Sequence, residues 1–125
     1  QIIINHTGLP SDRSADGLDA WRSALKRAAA CPNIAIKISG LGQKDLPWTV
    51  EANGPVVRDT IEIFGVARCM FASNFPVDSL VADFGTIFNG FMACVSDLPE
   101  PDQQALFHDN AARIYRIQPQ EGVAP

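Results

Sequence analysis

The chain has 125 residues, of which 46% are hydrophobic, and its formal net charge at pH 7 is -4. This length suffices for one domain with a buried core, and the composition excludes a disordered or low-complexity polypeptide. Because lysine and arginine are scattered rather than clustered, nucleic acid and anionic membranes are not expected partners. No apolar run is long enough to span a membrane.

Three apolar, β-branched runs each stop abruptly in small and polar residues, which predicts three buried strands that feed loops. The runs are Ile2–Gly8, Ile34–Gly40 and Cys69–Pro76. Alternation in the second run places Ile34, Ile36 and Ile38 on one face, and Ala35, Lys37 and Ser39 on the other.

Helical spacing of apolar residues predicts helices after each strand. The predicted helices run from about Asp16 to Cys31, from Pro55 to Gly65, from about Ser79 to Ser96, and from Pro101 to Ile117. Pro55 is expected in the first turn of the second helix, which follows the long loop Leu41–Gly54. In the third helix, Leu80, Phe84, Ile87, Phe88 and Phe91 form the predicted core face. The tail Gln118–Pro125 is predicted to be disordered.

The order β-α-β-α-β-α-α, with connections too long for hairpins, predicts parallel strands joined by right-handed crossovers. Three parallel strands would leave exposed edges, and the chain begins at Gln1 directly inside an apolar run. We therefore expect residues 1–117 to be a partial α/β domain of something larger.

The three cysteines, Cys31, Cys69 and Cys94, are widely separated and lack C-x-x-C spacing. This usage favours neither a disulfide framework nor a zinc site, and it fits a reducing, cytoplasmic setting.

Polar residues at strand ends are the candidate functional groups, because ligands collect at the carboxyl ends of parallel strands. His6 is a candidate base or hydrogen-bond donor, with a structural histidine as the equal alternative. Lys37 could reach a substrate carboxylate, or could serve in a structural ion pair or extend to the rim. Ser39, on the same face, is a candidate hydrogen-bond donor, but it lacks the G-x-S-x-G motif of serine hydrolases.

Asn74 and Asp78 flank Pro76 after the third strand. Asp78 could be a general base or a metal ligand, or the N-cap of the next helix, whereas Asn74 can only orient other groups. Trp48 could wall a pocket or cover apolar surface. His108 lies in an amphipathic pattern and is expected to be solvated.

In this order and spacing, several stretches resemble the carboxy-terminal part of the amidohydrolase-related TIM-barrel hydrolases, in the branch of sugar lactonases and pyrone dicarboxylate lactonase. The matching stretches are Asn5–Pro10, Lys37–Gly42, Phe64–Asp78 and Asn110–Tyr115, together with the Trp21 helix. The resemblance implies that the three strands are similar to the sixth, seventh and eighth of a (β/α)8 barrel. A complete barrel needs about 250 residues, so about half would be missing.

The implied activity is hydrolysis of a sugar lactone, a carboxylated lactone or, less readily, an amide, with water attacking the carbonyl. His6 matches a family histidine that contacts substrate or metal, and Lys37, Ser39 and Trp48 would bind substrate. A divalent metal such as zinc is allowed but not required, and no metal ligand is assigned. The family usually ends its eighth strand in Ser-Asp-Trp-Pro, with the Asp as the base, whereas this chain has Ser73-Asn74-Phe75-Pro76.

Because Asn74 cannot act as a base, either Asp78 or another group of the parent protein takes that role, or the chemistry differs. The competing hypotheses are a non-catalytic ligand- or protein-binding module and a small free-standing binding fold. An uncovered strand face would favour association with the missing half or with another copy of the chain.

Overall fold

The computed structural model describes residues 1–117, and the predicted disorder of Gln118–Pro125 lies outside this range. The strands are β1 (Ile2–Ile4), β2 (Ile34–Ile38) and β3 (Cys69–Phe71), and the helices are α1 (Ala15–Ala29), α2 (Val50–Phe64), α3 (Phe84–Cys94), α4 (Glu100–Gln104) and α5 (Asn110–Tyr115). Short 3-10 turns lie at His6–Gly8, Val66–Arg68 and Val77–Leu80, and a π-helical turn at Ala105–Asp109 joins α4 to α5. None of the helices within residues 1–117 is long and apolar enough to cross a membrane.

The sheet confirms the predicted topology, since all strands are parallel and occur in the order β1-β2-β3. Ile4 pairs with Ile36, and Ile38 pairs with Phe71. All three carboxyl ends therefore meet at one edge of the sheet.

The hydrophobic core lies on one face of this sheet. Ile36 and Ile38 of β2 are fully buried there, and helices α1, α2 and α3 cover them with Leu25, Val57 and Phe91 among others. The opposite face carries Ala35 and a half-buried Lys37, as the alternation predicted. An aromatic stack of Phe71 and Phe91, with ring centroids 4.5 Å apart, joins β3 to α3.

Arg68 and Asn110 close the amino-terminal side of the sheet. Arg68 donates hydrogen bonds to the carbonyl oxygens of Phe64 and Ala29, each with a donor–acceptor distance of 3.0 Å. The buried Asn110 side chain donates to the carbonyls of Val66 at 2.7 Å and Cys69 at 2.9 Å. The Asn110 side chain thus anchors helix α5 against β3.

Two helix starts differ from the predictions. Helix α2 begins at Val50, because the Thr49 hydroxyl accepts a hydrogen bond from the backbone N–H of Ala52. Pro55 therefore lies inside the helix and not in its first turn. Because proline has no N–H, the Glu51 carbonyl lacks its hydrogen-bond partner within the helix. Glu51 and Pro55 are both exposed, so water can hydrate that carbonyl.

Helix α3 begins at Phe84 rather than near Ser79, because the Asp83 carboxylate caps it by accepting from Thr86 N–H at 2.7 Å. This hydrogen bond lowers the pKa of Asp83. The predicted core face was wrong at Leu80, which is 89% exposed, and at the exposed Phe84. Ile87 and Phe91 are buried as predicted.

Replacing Gly90 with Ala should lower the free energy of unfolding by about 1–3 kcal/mol, because the added Cβ would overlap the Trp48 ring and overpack the core. Gly54→Ala is the matched control. Apart from its chain neighbours, its Cβ would meet nothing closer than the Cys94 Sγ at 3.6 Å. The better helix propensity of alanine is offset by the strain of a Cβ before Pro55, so the free energy of unfolding should change by no more than about 1 kcal/mol. Urea unfolding of both variants measures the difference, and equal destabilisation would contradict the packing described here.

Thiol labelling at neutral pH should modify Cys31 and spare the other two cysteines until the chain is unfolded. Cys31 is exposed, whereas Cys69 and Cys94 are buried. Burial raises the pKa of the Cys69 thiol to about 12 and also raises the pKa of Cys94, which keeps both as unreactive thiols. Mass spectrometry after iodoacetamide treatment, with and without denaturant, tests this expectation, and labelling of Cys69 in the folded protein would refute it.

Candidate functional site

Thr7 holds the carboxyl ends of β1 and β2 together. Its side chain is fully buried, and its hydroxyl donates to the Ser39 carbonyl at 3.1 Å while accepting from the Ser39 N–H at 3.2 Å. The Trp21 indole N–H donates to the Thr7 carbonyl at a distance of 2.8 Å. This hydrogen bond connects helix α1 to the junction of β1 and β2. Sequence reasoning did not single out Thr7, although a hydroxyl directly after a strand end was a usable signal.

His6 lies beside Ser39 at this junction. The His6 Nδ1 atom and the Ser39 Oγ atom are 3.1 Å apart, so the structure brings two predicted site residues together. A Cβ at Gly40 would lie 2.8 Å from His6 Nδ1, and Gly40 has a positive φ of 63°. Glycine is therefore favoured at position 40 for two reasons: the backbone has a positive φ, and the imidazole of His6 lies where a Cβ would be too close.

Asn74 and Asp78 form a second pair, beyond β3. The Asn74 Nδ2 atom donates to the Asp78 Oδ1 atom at 2.8 Å, and Asp78 is only 6% exposed. Asn74 has a φ of 55°, a left-handed conformation that asparagine tolerates better than most residues. The Asp78 side chain caps no helix, so the N-cap alternative for this residue was wrong and Asp83 has that role.

The loop after β2 lies between these two pairs. His6 packs against Gly40, whereas a Cβ at Gly42 would come within 2.9 Å of Val81, whose backbone N–H donates to the Asp78 carbonyl. Both pairs therefore flank one short loop at the carboxyl edge of the sheet.

Two clefts open at this edge and share Gly42. The larger, of about 390 Å³, is lined by Gly42, Lys44, Asp45, Val77, Asp78, Leu80 and Val81. The smaller, of about 100 Å³, is lined by Leu9, Pro10, Ser11, Arg13, Gly40, Gly42 and Gln43. The carboxylate of Asp78 thus borders a cleft large enough for a small ligand.

Arg13 is a second residue that the sequence analysis missed. It donates to the Pro10 carbonyl at 2.6 Å and to the Leu41 carbonyl at 3.4 Å, and burial lowers the pKa of its guanidinium. These hydrogen bonds join the loop after β1 to the loop after β2. A charged residue in a Pro- and Ser-containing loop was the only available signal.

Two predicted substrate-binding residues lie apart from these pairs. Trp48 is buried in the core, edge-to-face with Phe91 at 5.4 Å, which corresponds to the alternative that it covers apolar surface. Within residues 1–117, its indole Nε1 is the buried side-chain polar atom without a hydrogen-bond partner. The Lys37 ammonium lies 6.0 Å from the centre of the Tyr115 ring, and it forms no salt bridge with the described residues. His108 is exposed, as expected, and contacts Asp109.

The described part of the chain does not by itself assemble a metal centre. Among residues 1–117, no three His, Cys, Asp or Glu side chains cluster as a metal site would require.

Comparison with known proteins adds a family to this geometry. The family model described as amidohydrolase matches residues 1–117. The protein y4mH of Sinorhizobium fredii, described as uncharacterized, is 47% identical over 117 residues, which cover 94% of this chain and 39% of y4mH. An L-fucono-1,5-lactonase of Burkholderia ambifaria is 33% identical over 126 aligned residues, which cover 94% of this chain and 42% of the lactonase.

A crystal structure of an amidohydrolase from Burkholderia multivorans with bound zinc superposes with a TM-score of 0.86 at 26% identity, covering 93% of this chain and 44% of that one. The chain thus spans less than half the length of the relatives it matches, as expected for a carboxy-terminal portion of a TIM barrel. With a family model matching nearly its whole length, the chain belongs to the amidohydrolase family.

Proposed function

We propose that the complete protein hydrolyses a lactone at the carboxyl edge of the sheet. Water would attack the carbonyl carbon, the ring C–O bond would break, and a hydroxy acid would leave. The observation that carries the proposal is the buried Asp78 carboxylate, which borders the larger cleft and accepts a hydrogen bond from Asn74. Membership of the amidohydrolase family supports the reaction class.

Asp78 would accept a proton from the attacking water and return it to the alkoxide of the opened ring. The neutral Asn74 amide donates to one Asp78 oxygen and leaves the other free to act as an acceptor. Asp45 borders the same cleft but is exposed, so water solvates its carboxylate. Asp78 is therefore the better placed of these two carboxylates to act as a base.

His6 would polarise the lactone carbonyl as negative charge develops on its oxygen. Its support is its position at the end of β1 and its contact with Ser39. Lys44 lines the larger cleft and is a cation that a carboxylated lactone could contact there, whereas Lys37 lines neither cleft and would have to reach the substrate from β2. The 33% identity to an L-fucono-1,5-lactonase favours a sugar lactone. Trp48 lies in the core against Phe91, so it would support the loop after β2 and not contact the substrate.

A second function, ligand binding without catalysis, is favoured by one observation. Asn74 lies where the family resemblance places a catalytic aspartate, and an amide cannot accept a proton as a base at neutral pH. Substitutions at Asp78 and Asn74 separate these functions.

Asp78→Asn in the complete protein should lower kcat for lactone hydrolysis by at least about 100-fold, because an amide cannot take the proton of water. The substitution keeps the shape of the side chain, so the far-ultraviolet circular dichroism spectrum should not change. Asp16→Asn, on the exposed surface of α1, removes the same charge and should leave kcat unchanged. Full activity of a folded Asp78→Asn protein would contradict the proposal and favour the binding function.

Asn74→Asp should also lower kcat, by about 10-fold or more, because it replaces the hydrogen-bond donor with a like charge 2.8 Å from Asp78. Steady-state kinetics on a sugar lactone measures the change. A rise in kcat would instead show that position 74 is the better place for the base, as in the family pattern. Asn74→Gln keeps the amide and tests whether the position of the donor matters.

A further inference from the structure

We infer that the buried hydroxyl of Ser39 fixes the tautomer of His6. In this arrangement the neutral imidazole carries its hydrogen on Nε2 and presents a hydrogen-bond donor there. The His6 Nδ1 and Ser39 Oγ atoms lie 3.1 Å apart, and either of them could be the donor.

The surroundings of Ser39 decide the direction of this hydrogen bond. Ser39 is only 1% exposed, so water cannot satisfy its hydroxyl hydrogen. Thr7 bonds the backbone N–H and carbonyl of Ser39 and not its side chain. Within the described part of the chain, His6 Nδ1 is the only hydrogen-bond partner of the Ser39 hydroxyl.

If Nδ1 carried the hydrogen and donated it to Ser39, the hydroxyl hydrogen of Ser39 would be buried without an acceptor among residues 1–117. Buried polar hydrogens are rarely left unpaired, because the lost hydration is not replaced. The hydroxyl must therefore donate to Nδ1, and Nδ1 must be unprotonated. In neutral imidazole the hydrogen then resides on Nε2.

The packing of the ring points the same way. The backbone at Gly40 lies so close to the Nδ1 side of the ring that an added Cβ would be 2.8 Å from Nδ1 and 2.9 Å from the ring carbon Cγ. Nδ1 thus lies on the side of the ring that packs against Gly40, and the Ser39 hydroxyl already contacts it. His6 is half-buried, and Nε2 has no hydrogen-bond partner among residues 1–117. Nε2 is thus the ring nitrogen that remains for a ligand.

The consequence is a division of roles that rests on the proposed function. With hydrogen on Nε2, His6 donates to the carbonyl oxygen of the lactone and does not accept the proton of water, which leaves that task to Asp78. Ser39 is then a positioning residue that acts through His6. The tautomer itself is a property of the folded protein and does not depend on the reaction.

The test is nitrogen-15 NMR of the complete protein labelled at histidine, with the His6 signals assigned by their loss in His6→Gln. We expect Nδ1 to resonate as an unprotonated, pyridine-like nitrogen and Nε2 as a protonated, pyrrole-like one. In Ser39→Ala the two signals should move toward a mixture of tautomers. Ser39→Thr, which keeps the hydroxyl, should restore the original pattern.

Kinetics of the same variants test the functional part separately. Ser39→Ala should lower kcat/KM for a lactone by about tenfold, and Ser39→Thr should recover most of the loss. A wild-type spectrum with hydrogen on Nδ1 would overturn the inference, even if Ser39→Ala failed to fold. The expected spectra in a protein that hydrolyses no lactone would instead leave the tautomer intact and refute the proposed function.

Discussion

The double hydrogen bond between Thr7 and the backbone of Ser39 is the constraint on which the candidate site depends. It joins residues 32 positions apart in the chain and sets the distance between the ends of β1 and β2. His6 and Gly40 are the chain neighbours of these two residues, so their close packing follows from the same junction. Because both Thr7 and Ser39 are buried, water does not compete with these hydrogen bonds.

The buried Asp78 carboxylate at this edge has a neutral hydrogen-bond partner. Asn74 donates to Asp78 at 2.8 Å, and the other pair, His6 and Ser39, contains no carboxylate. An amide in place of an acid at position 74 removes the repulsion that two adjacent carboxylates would create. In the proposed function, Asp78, four residues further along the chain, takes the role that the family pattern gives to position 74.

The sequence pattern predicted the strands and the ends of α1 correctly, because apolar periodicity and the Cys31-Pro32-Asn33 stop are local signals. It misplaced the starts of α2 and α3, because side-chain caps at Thr49 and Asp83 decide where these helices begin. Apolar spacing alone does not show these caps. Leu80 was assigned to the core because it fits helical spacing, but it lies in a 3-10 turn outside that helix.

The sequence by itself determined three parallel strands and a set of polar residues at their carboxyl ends, since crossover lengths and residue alternation depend only on neighbours in the chain. It also carried the family resemblance, which the family model confirms over residues 1–117. The tertiary structure alone decided that Thr7 and Arg13 join the loops, that Trp48 lies in the core, and that His6 contacts Ser39. Each of these contacts joins residues far apart in the chain, and only packing brings such residues together.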